Sequence, residues 1–214
     1  FRREYGCEFL VYDETLINSI KLSSLEGVDP VMNMGQTRWY GKPNGTNTYV
    51  VALDPAMGTG GDYAAIQVFE LPSYKQIAEW RHNTTPIPAQ IRILKDICNY
   101  IKECCSNEGQ NIYWSVENNS IGEGALIVIR DMGEENIPGM CVSEPIRKGH
   151  VRKFRKGFNT THSTKISACT RLKNMVENDK LQVNSKVLIS ELKAFVASGS
   201  SFKAKPGETD DLVS

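Results

Sequence analysis

Three acidic positions of this chain stand where an apolar run ends or where a helix is expected to begin. Asp54 and Glu117 each directly follow a run of apolar-leaning residues, and the pair Asp210-Asp211 precedes a short apolar stretch. A carboxylate at the carboxyl end of a buried strand is held by the sheet and faces the crevice in which α/β folds usually place their ligands. Three carboxylates that converge there repel one another unless a divalent cation lies between them. The three positions are therefore candidates for a single metal site.

Oxygen ligands of this kind suit magnesium, which binds through a few carboxylates together with waters and substrate phosphates. In sites with two such ions, the ions lie about 3.5–4 Å apart, and one activates water while the other stabilises the leaving oxygen. The set Asp54, Glu117 and Asp210-Asp211 thus predicts phosphodiester cleavage with Mg²⁺ or Mn²⁺, and two ions are expected. Taken singly, Glu117 and Asp210-Asp211 could instead be ordinary acids at helix N-termini.

A glycine-rich connection with a carboxylate at each end follows the first strong strand. It runs from Asp54 to Tyr63, and Asp62 is its second acid. Asp62 is compatible with a place near the metal site and equally with a solvated position in a flexible hairpin. Asp54 directly follows apolar residues, a costly place for an unpaired carboxylate, which favours a functional role there. No Gly-Lys-Ser/Thr follows the glycines, so a P-loop is not predicted.

Four motifs occur in order along the chain: a strand ending in Asp54, a glycine-rich hairpin ending Gly-Asp-Tyr at 61–63, a strand ending Glu-Asn-Asn-Ser at 117–120, and Asp-Asp-Leu-Val at 210–213. Together they resemble the nuclease domain of the large terminase subunit of T-even-type tailed bacteriophages. The resemblance runs from about Phe1 to the C-terminus. It implies the ribonuclease H/resolvase-like fold.

Carried over residue by residue, the resemblance implies that the catalytic acids are Asp54, Glu117 and one of Asp210-Asp211, with Asp211 preferred. All four are candidate metal ligands, and Asp62 is implicated as a nearby acid that assists the site. Relatives of that kind often carry a His before the Asp pair. This chain has Thr209 there, so a proton-shuttling or metal-assisting role for that position is not carried over.

The same resemblance implies an activity and a setting. The activity is endonucleolytic cleavage of double-stranded DNA with little sequence specificity, which cuts concatemeric viral DNA during genome packaging. Its implied partners are a packaging ATPase domain in the same chain, the phage portal and the small terminase subunit. The expected location is the host cytoplasm and, transiently, the phage prohead, with no membrane partner.

A basic segment at 147–157 is the feature expected to contact DNA. Six of its first ten positions are Lys or Arg: Arg147, Lys148, Arg152, Lys153, Arg155 and Lys156. Such a segment can be merely a solvated loop, but it supplies the phosphate-neutralising charge that an acidic site lacks. Lys165, at the start of the next predicted helix, is a further candidate for phosphate contact. Nothing marks a base-reading helix, so binding is expected to be independent of sequence.

Apolar periodicity predicts the elements that position these residues. The fold class is α/β, with a ribonuclease H/resolvase-like mixed β-sheet flanked by helices on both faces. The first three strands, joined by short links, are expected to be antiparallel. Strands are predicted at 49–53, 63–71, 74–81, 111–117, 140–142 and 180–183, and helices at 87–105, 121–132, 163–178 and 187–196. The basic segment is expected to lie between a strand and a helix.

Composition limits the number of domains and the classes of protein that the chain can belong to. The 214 residues, 40% of them apolar, suffice for one domain, here predicted at 48–214. Residues 1–47 are expected to be a linker or N-terminal extension from a preceding ATPase domain, and the abrupt start and end suggest an excised fragment. Basic and acidic residues balance at 25 each, no apolar run is long enough to cross a bilayer, and the cysteines lack zinc-finger spacing.

Two other functions fit parts of the pattern. An actin-like or sugar-kinase-type ATPase of the same superfold is one, because Asp54 and the Gly/Thr-rich hairpin resemble a first phosphate loop. No second Asp-Gly-Gly phosphate loop occurs, which counts against it. The other is a non-catalytic DNA-binding or motor-docking module whose acids only cap helices. Such a module would keep its DNA affinity after chelation of metal.

Overall fold

In the computed structural model, residues 14–148 and 151–214 are described, and for 145–148 and 151–155 the description covers the backbone alone. A seven-stranded sheet forms the centre of the fold. Its strands are β1 (Met32–Met34), β2 (Thr37–Trp39), β3 (Thr48–Asp54), β4 (Ala64–Leu71), β5 (Lys75–His82), β6 (Ile112–Val116) and β7 (Met140–Cys141), in the spatial order β1-β2-β5-β4-β3-β6-β7.

The sheet is mixed. β3, β4 and β5 form an antiparallel meander, whereas β6 runs parallel to β3 and β7 runs parallel to β6. The register of β3 and β6 places Leu53 beside Val116. The residues that follow, Asp54 and Glu117, therefore emerge side by side at one end of the sheet.

Within the described residues, five α-helices flank the sheet: α1 (Ser19–Ser24), α2 (Ile87–Cys105), α3 (Ser120–Met132), α4 (His162–Glu177) and α5 (Lys186–Ala194). On one face, α2 and α3 pack against alternate residues of β3, including Tyr49, Val51 and Leu53, in the larger core. On the other face, α4 and α5 build a second core with α1 that includes Ala65 of β4. None of the described helices is long and apolar enough to span a membrane.

Two hairpins in the described part of the chain stand apart from the main sheet. One consists of β8 (Glu144–Lys148) and β9 (Val151–Arg155), and the other of β10 (Phe195–Ser198) and β11 (Ser201–Ala204). The second hairpin turns at Gly199, whose φ of +59° favours glycine. It leads the chain from α5 back to the acidic pair near the C-terminus.

The predicted fold class is confirmed: the protein is an α/β fold with a mixed sheet and helices on both faces. The antiparallel start of the sheet and the helix at 87–105 are also confirmed. Residues 14–47, within the expected linker, carry α1, β1 and β2, and β2 pairs with β5 in the sheet. The connection of residues 1–47 to an ATPase domain stays a prediction, and residues 1–13 lie outside the described chain.

Two local predictions were wrong. The segment 180–183 forms no strand and makes only an isolated bridge between Gln182 and Lys75. The helix predicted to reach 196 ends at Ala194, because Phe195 and Val196 pair with β11 instead. The basic segment lies between β7 and α4, as expected, and most of it forms the β8–β9 hairpin.

Candidate functional site

Asp54 and Glu117 form the centre of the candidate site. The Glu117 amide donates to the Leu53 carbonyl at 2.9 Å, which continues the pairing of β3 and β6 up to the two acids. Asn119 then caps α3 by accepting from the amides of Ile121 and Gly122, and its Nδ2 donates to Glu117 Oε2 at 3.0 Å. One asparagine thus ends the strand, begins the helix and orients the carboxylate.

The close approach of α3 to this strand end depends on glycine. A Cβ at Gly122 would lie 1.8 Å from the Glu117 carbonyl oxygen, a separation that no side chain can occupy. The first turn of α3 therefore packs directly on the backbone that carries the acid. Glu117 is consequently held from both sides, by β3 and by α3.

Asp211 is the third acid of the site, and the structure separates it from its neighbour. A cavity of about 400 Å³ is lined by Asp54, Glu117 and Asp211, whereas Asp210 is not part of its lining. The Asp210 carboxylate instead accepts a hydrogen bond from the Ala204 amide at 3.1 Å, at the end of β11. This placement favours Asp211, the member of the pair preferred from the sequence.

Asp62, the remaining acid expected near the site, is placed differently. Its side chain is exposed, and it lines neither this cavity nor the neighbouring one described below. The glycine-rich connection turns it toward solvent. The structure therefore does not bring Asp62 together with Asp54, Glu117 and Asp211.

The electrostatics of the site favour a bound cation. Burial, followed by the adjacent Glu117 and the charges of Asp211 and Asp210, raises the pKa of Asp54 to about 8. Burial also raises the pKa of Asp211, and the nearby Arg81 guanidinium partly offsets that rise. Like charges that meet at a partly buried position are relieved either by a proton or by a cation.

The donor chemistry fits a hard divalent ion such as Mg²⁺ or Mn²⁺, because the converging groups are carboxylate oxygens. Within residues 14–148 and 151–214, however, no group of three or more His, Cys, Asp or Glu side chains forms a ready-made metal cage. Waters and substrate phosphates would supply the other ligands, as is usual for magnesium. The residues that could hold the ion are Asp54, Glu117 and Asp211.

A second cavity, of about 430 Å³, adjoins the first and shares Asp54 and Glu117 with it. Its lining includes Lys165 and Thr164 from the first turn of α4, whose N-cap is Thr161. A helix N-terminus and a lysine beside carboxylates form a place where a phosphate can bind. The structure thus brings Lys165, a predicted DNA contact, to the site.

Phe158 lines both cavities and was missed in the sequence analysis. Its amide donates to the Val116 carbonyl at 3.0 Å and its carbonyl accepts from the Asn118 amide at 2.6 Å, which fixes it beside Glu117. Phe158 is 45% exposed. Its position immediately after Gly157 was the only signal for it in the sequence, and the structure gives Gly157 a φ of +72°.

Most of the basic segment forms the β8–β9 hairpin. Its base is anchored by the Glu144 amide, which donates to the Gly157 carbonyl at 3.1 Å. In its backbone register, Arg147 pairs with Arg152. Only the backbone is described for five of the predicted DNA contacts, Arg147, Lys148, Arg152, Lys153 and Arg155. The sixth, Lys156, forms an ion pair with Glu134.

Comparison with known families agrees with this fold. Residues 51–214 match the family described as the terminase RNaseH-like domain, and the chain therefore belongs to that family. The narrower likeness to T-even-type phages stays a prediction.

Solved structures of large terminase nucleases share the fold. The nuclease of thermophilic phage G20c with bound magnesium has a TM-score of 0.67 and 17% identity, covering 94% of this chain and 93% of that one. The same nuclease with bound zinc has a TM-score of 0.62 and 17% identity, covering 92% and 94%. The large terminase nuclease domain of Thermus phage P74-26 has a TM-score of 0.61 and 18% identity, covering 90% and 88%.

Proposed function

We propose that this chain is the nuclease domain of a phage DNA-packaging terminase and cleaves double-stranded DNA by metal-dependent phosphodiester hydrolysis. The observation that carries the proposal is the convergence of Asp54, Glu117 and Asp211 on one cavity at the end of the sheet. Membership in the terminase RNaseH-like domain family supports it. Magnesium, cobalt and zinc are bound in the related G20c nuclease, which supports the use of a divalent ion here.

The three carboxylates would hold one or two Mg²⁺ or Mn²⁺ ions, whose chemistry is to activate water and to stabilise the leaving oxygen. The protein's own contribution is to fix these ligands at the ends of β3 and β6 and in the segment after β11. Asn119 orients Glu117 through a 3.0 Å hydrogen bond. Lys165 and the N-terminus of α4 would bind a phosphate of the substrate strand in the adjoining cavity.

Double-stranded DNA is the proposed substrate, and recognition is proposed to be independent of sequence. Phe158, shortly after the basic β8–β9 hairpin, forms a bridge with Glu117, and the hairpin carries positive charge that can neutralise DNA phosphates. Contacts to phosphates fix position along a duplex but carry no sequence information directly. Cleavage at many sequences is the expected consequence, as required for cutting concatemeric viral DNA.

The proposed partners are a packaging ATPase domain in the same chain, the portal and the small terminase subunit. The proposed location is the host cytoplasm and, transiently, the prohead.

Two alternative functions remain to be compared with the site. An ATPase would use the glycine-rich connection to bind phosphate, but Gly58, Gly60 and Gly61 line neither of the two cavities. A non-catalytic DNA-binding or motor-docking module keeps one supporting observation, the lack of a ready-made metal cage among the described residues.

The two remaining functions are distinguished by treating the protein with EDTA and then restoring Mg²⁺ or Mn²⁺. The measurements are cleavage of supercoiled plasmid and binding to a short duplex. A nuclease cleaves only after the metal is restored. A docking module binds the duplex in EDTA and leaves the plasmid intact with either metal, a result that would overturn the proposal.

A further inference from the structure

The carboxylate of Glu191, on α5, holds both ends of the segment that carries the acidic pair. The side chain of Glu191 is 4% exposed. Its Oε1 accepts a hydrogen bond from the Thr209 hydroxyl at 2.8 Å, and its Oε2 accepts from the Leu212 amide at 2.8 Å. Asp210 and Asp211 lie between these two anchor points. One buried side chain therefore sets the path of the backbone that presents Asp211.

Arg81 completes the arrangement from the sheet side. This β5 residue forms an ion pair with Glu191, and its Nη1 donates to Thr209 Oγ1 at 3.1 Å. Its guanidinium also lies 4.0 Å from the centre of the Tyr63 ring, a cation–π contact that fixes the side chain. The segment after β11 is thus tied to both α5 and β5.

A buried ion pair seldom stabilises a protein core more than apolar residues of the same size would. Two charges removed from water regain little more than their desolvation cost, and apolar residues of similar volume are often equally stable or more stable. The neighbours of Glu191 on the same helix, Leu188 and Leu192, are apolar core residues. A charged pair in this place does what apolar residues cannot, because it bonds the Leu212 amide and the Thr209 hydroxyl directly.

Asp210 and Asp211, the two acids of this segment, have different surroundings. Asp210 is engaged by the Ala204 amide, whereas Asp211 lines the cavity with Asp54 and Glu117. A shift of the backbone between Thr209 and Leu212 would move Asp211 relative to the two acids that the sheet holds fixed. The position of the third carboxylate therefore depends on contacts that lie outside the cavity.

We propose that Glu191 is a positioning residue for metal binding, which acts by holding the segment 209–212 so that Asp211 faces Asp54 and Glu117. We call Glu191, Thr209 and Arg81 together the clamp. In it, the Thr209 hydroxyl bonds the Glu191 carboxylate, and Arg81 neutralises the charge of that buried carboxylate. The inference rests on the proposed function, because it assigns Asp211 to a metal site.

The test is metal binding, measured by calorimetry with Mn²⁺ and Mg²⁺ on the whole chain. Outer residues that orient metal ligands typically change affinity by about 10–100-fold, so Glu191→Gln is expected to weaken binding by at least about tenfold. Glu70→Gln is the matched control, since Glu70 is also a buried carboxylate with hydroxyl partners but lies at the opposite end of β4. Its metal affinity is expected to equal that of the wild type.

A double-mutant cycle separates positioning from general loss of stability. If Glu191 acts through Asp211, then Glu191→Gln adds no further loss of affinity when Asp211→Asn is already present. Should Glu191→Gln fail to fold, Thr209→Val removes one hydroxyl from the clamp, and a weaker affinity of about threefold or more is expected from the loss of one hydrogen bond.

Two outcomes overturn the inference, and they differ from each other. If Asp211→Asn weakens metal binding while Glu191→Gln and Thr209→Val bind as the wild type does, the clamp is wrong and the proposed function stands. If the wild type binds neither Mn²⁺ nor Mg²⁺, the proposed function fails and the clamp fails with it.

Discussion

Asp54 and Glu117 stand at the ends of two adjacent parallel strands, and a side-chain hydrogen bond to Glu117 contributes, after burial, to the raised pKa of Asp54. The pairing of Leu53 with Val116 sets this proximity, since the next residue on each strand is an acid. The backbone hydrogen bond from Glu117 to Leu53 prevents the two acids from separating. The sheet therefore holds together two groups that repel each other when both are charged.

This repulsion predicts how the stability of the metal-free domain depends on pH. The pKa of Asp54 is raised from 3.8 to about 8 in the folded state. Its stabilising contribution is therefore complete below about pH 4 and is lost as pH rises through about 8. Asp54→Asn removes this dependence and is expected to be more stable than the wild type at pH 8 by about 1–2 kcal/mol, less than the full linkage value because neighbouring acids titrate too.

The measurement is denaturant unfolding of both proteins in EDTA at pH 5, 6.5 and 8. The difference in unfolding free energy between variant and wild type should grow with pH. A difference that stays constant from pH 5 to 8 would show that Asp54 ionises normally.

The acidic pair near the C-terminus is predicted to be functionally asymmetric. Asp211→Asn should reduce cleavage as severely as Asp54→Asn, because Asp211 lines the cavity. Asp210→Asn should reduce it by about tenfold or less, the effect of an outer orienting group, because its carboxylate binds the Ala204 amide. Plasmid cleavage rates of the two variants provide the comparison. Equal loss in both would mean that Asp210 also acts at the metal.

Metal identity follows from the ligand set. An all-oxygen site should support cleavage with Mg²⁺ and Mn²⁺, whereas Ca²⁺, which is larger and less demanding of octahedral geometry, should bind but give little turnover. Zinc should not be required. The assay restores each ion separately to chelated protein. Strict dependence on zinc, or full activity in EDTA, would contradict the ligand set.

The basic hairpin is predicted to bind DNA through phosphates. Replacing Arg147, Lys148, Arg152, Lys153 and Arg155 with Ala should weaken binding to all sequences alike and reduce the salt slope by about 0.9 for each lost contact. Metal affinity should be unchanged, because coordination acts at short range. Lys156→Ala alone should change the slope least, since Lys156 is paired with Glu134. Duplex affinity at several salt concentrations tests this, and an unaltered slope would remove the segment from the DNA path.

The sequence was sufficient to predict the central strands and the acids at their ends. The alternation in β3 buries Tyr49, Val51 and Leu53 on one face. This local pattern indicates that the strand ends at Asp54. The parallel pairing of β3 with β6 is a long-range contact. The strand ends suggested it, but the register that places the two acids side by side appears only in the structure.

Other parts of the site could not be predicted from the sequence, because their signals are tertiary. Glu191 stands in an amphipathic helix, where a glutamate is normally on the solvent side, and only the folded chain places Arg81 against it. Phe195 and Val196 continue the apolar period of α5, yet their hydrogen bonds to β11 determine that they form a strand. Phe158 gave no periodic signal, since it is fixed by an isolated bridge to Glu117.

The most direct test of the account is the rate at which Asp54→Asn, Glu117→Gln and Glu70→Gln cleave supercoiled plasmid in Mg²⁺, compared with the wild type. The first two variants keep the shape of the site but remove one metal-binding charge each. The third removes the charge of a buried carboxylate at the far end of the sheet. We predict that cleavage is lost in Asp54→Asn and Glu117→Gln and kept in Glu70→Gln. Wild-type cleavage by purified Asp54→Asn or Glu117→Gln would contradict the assignment of the site.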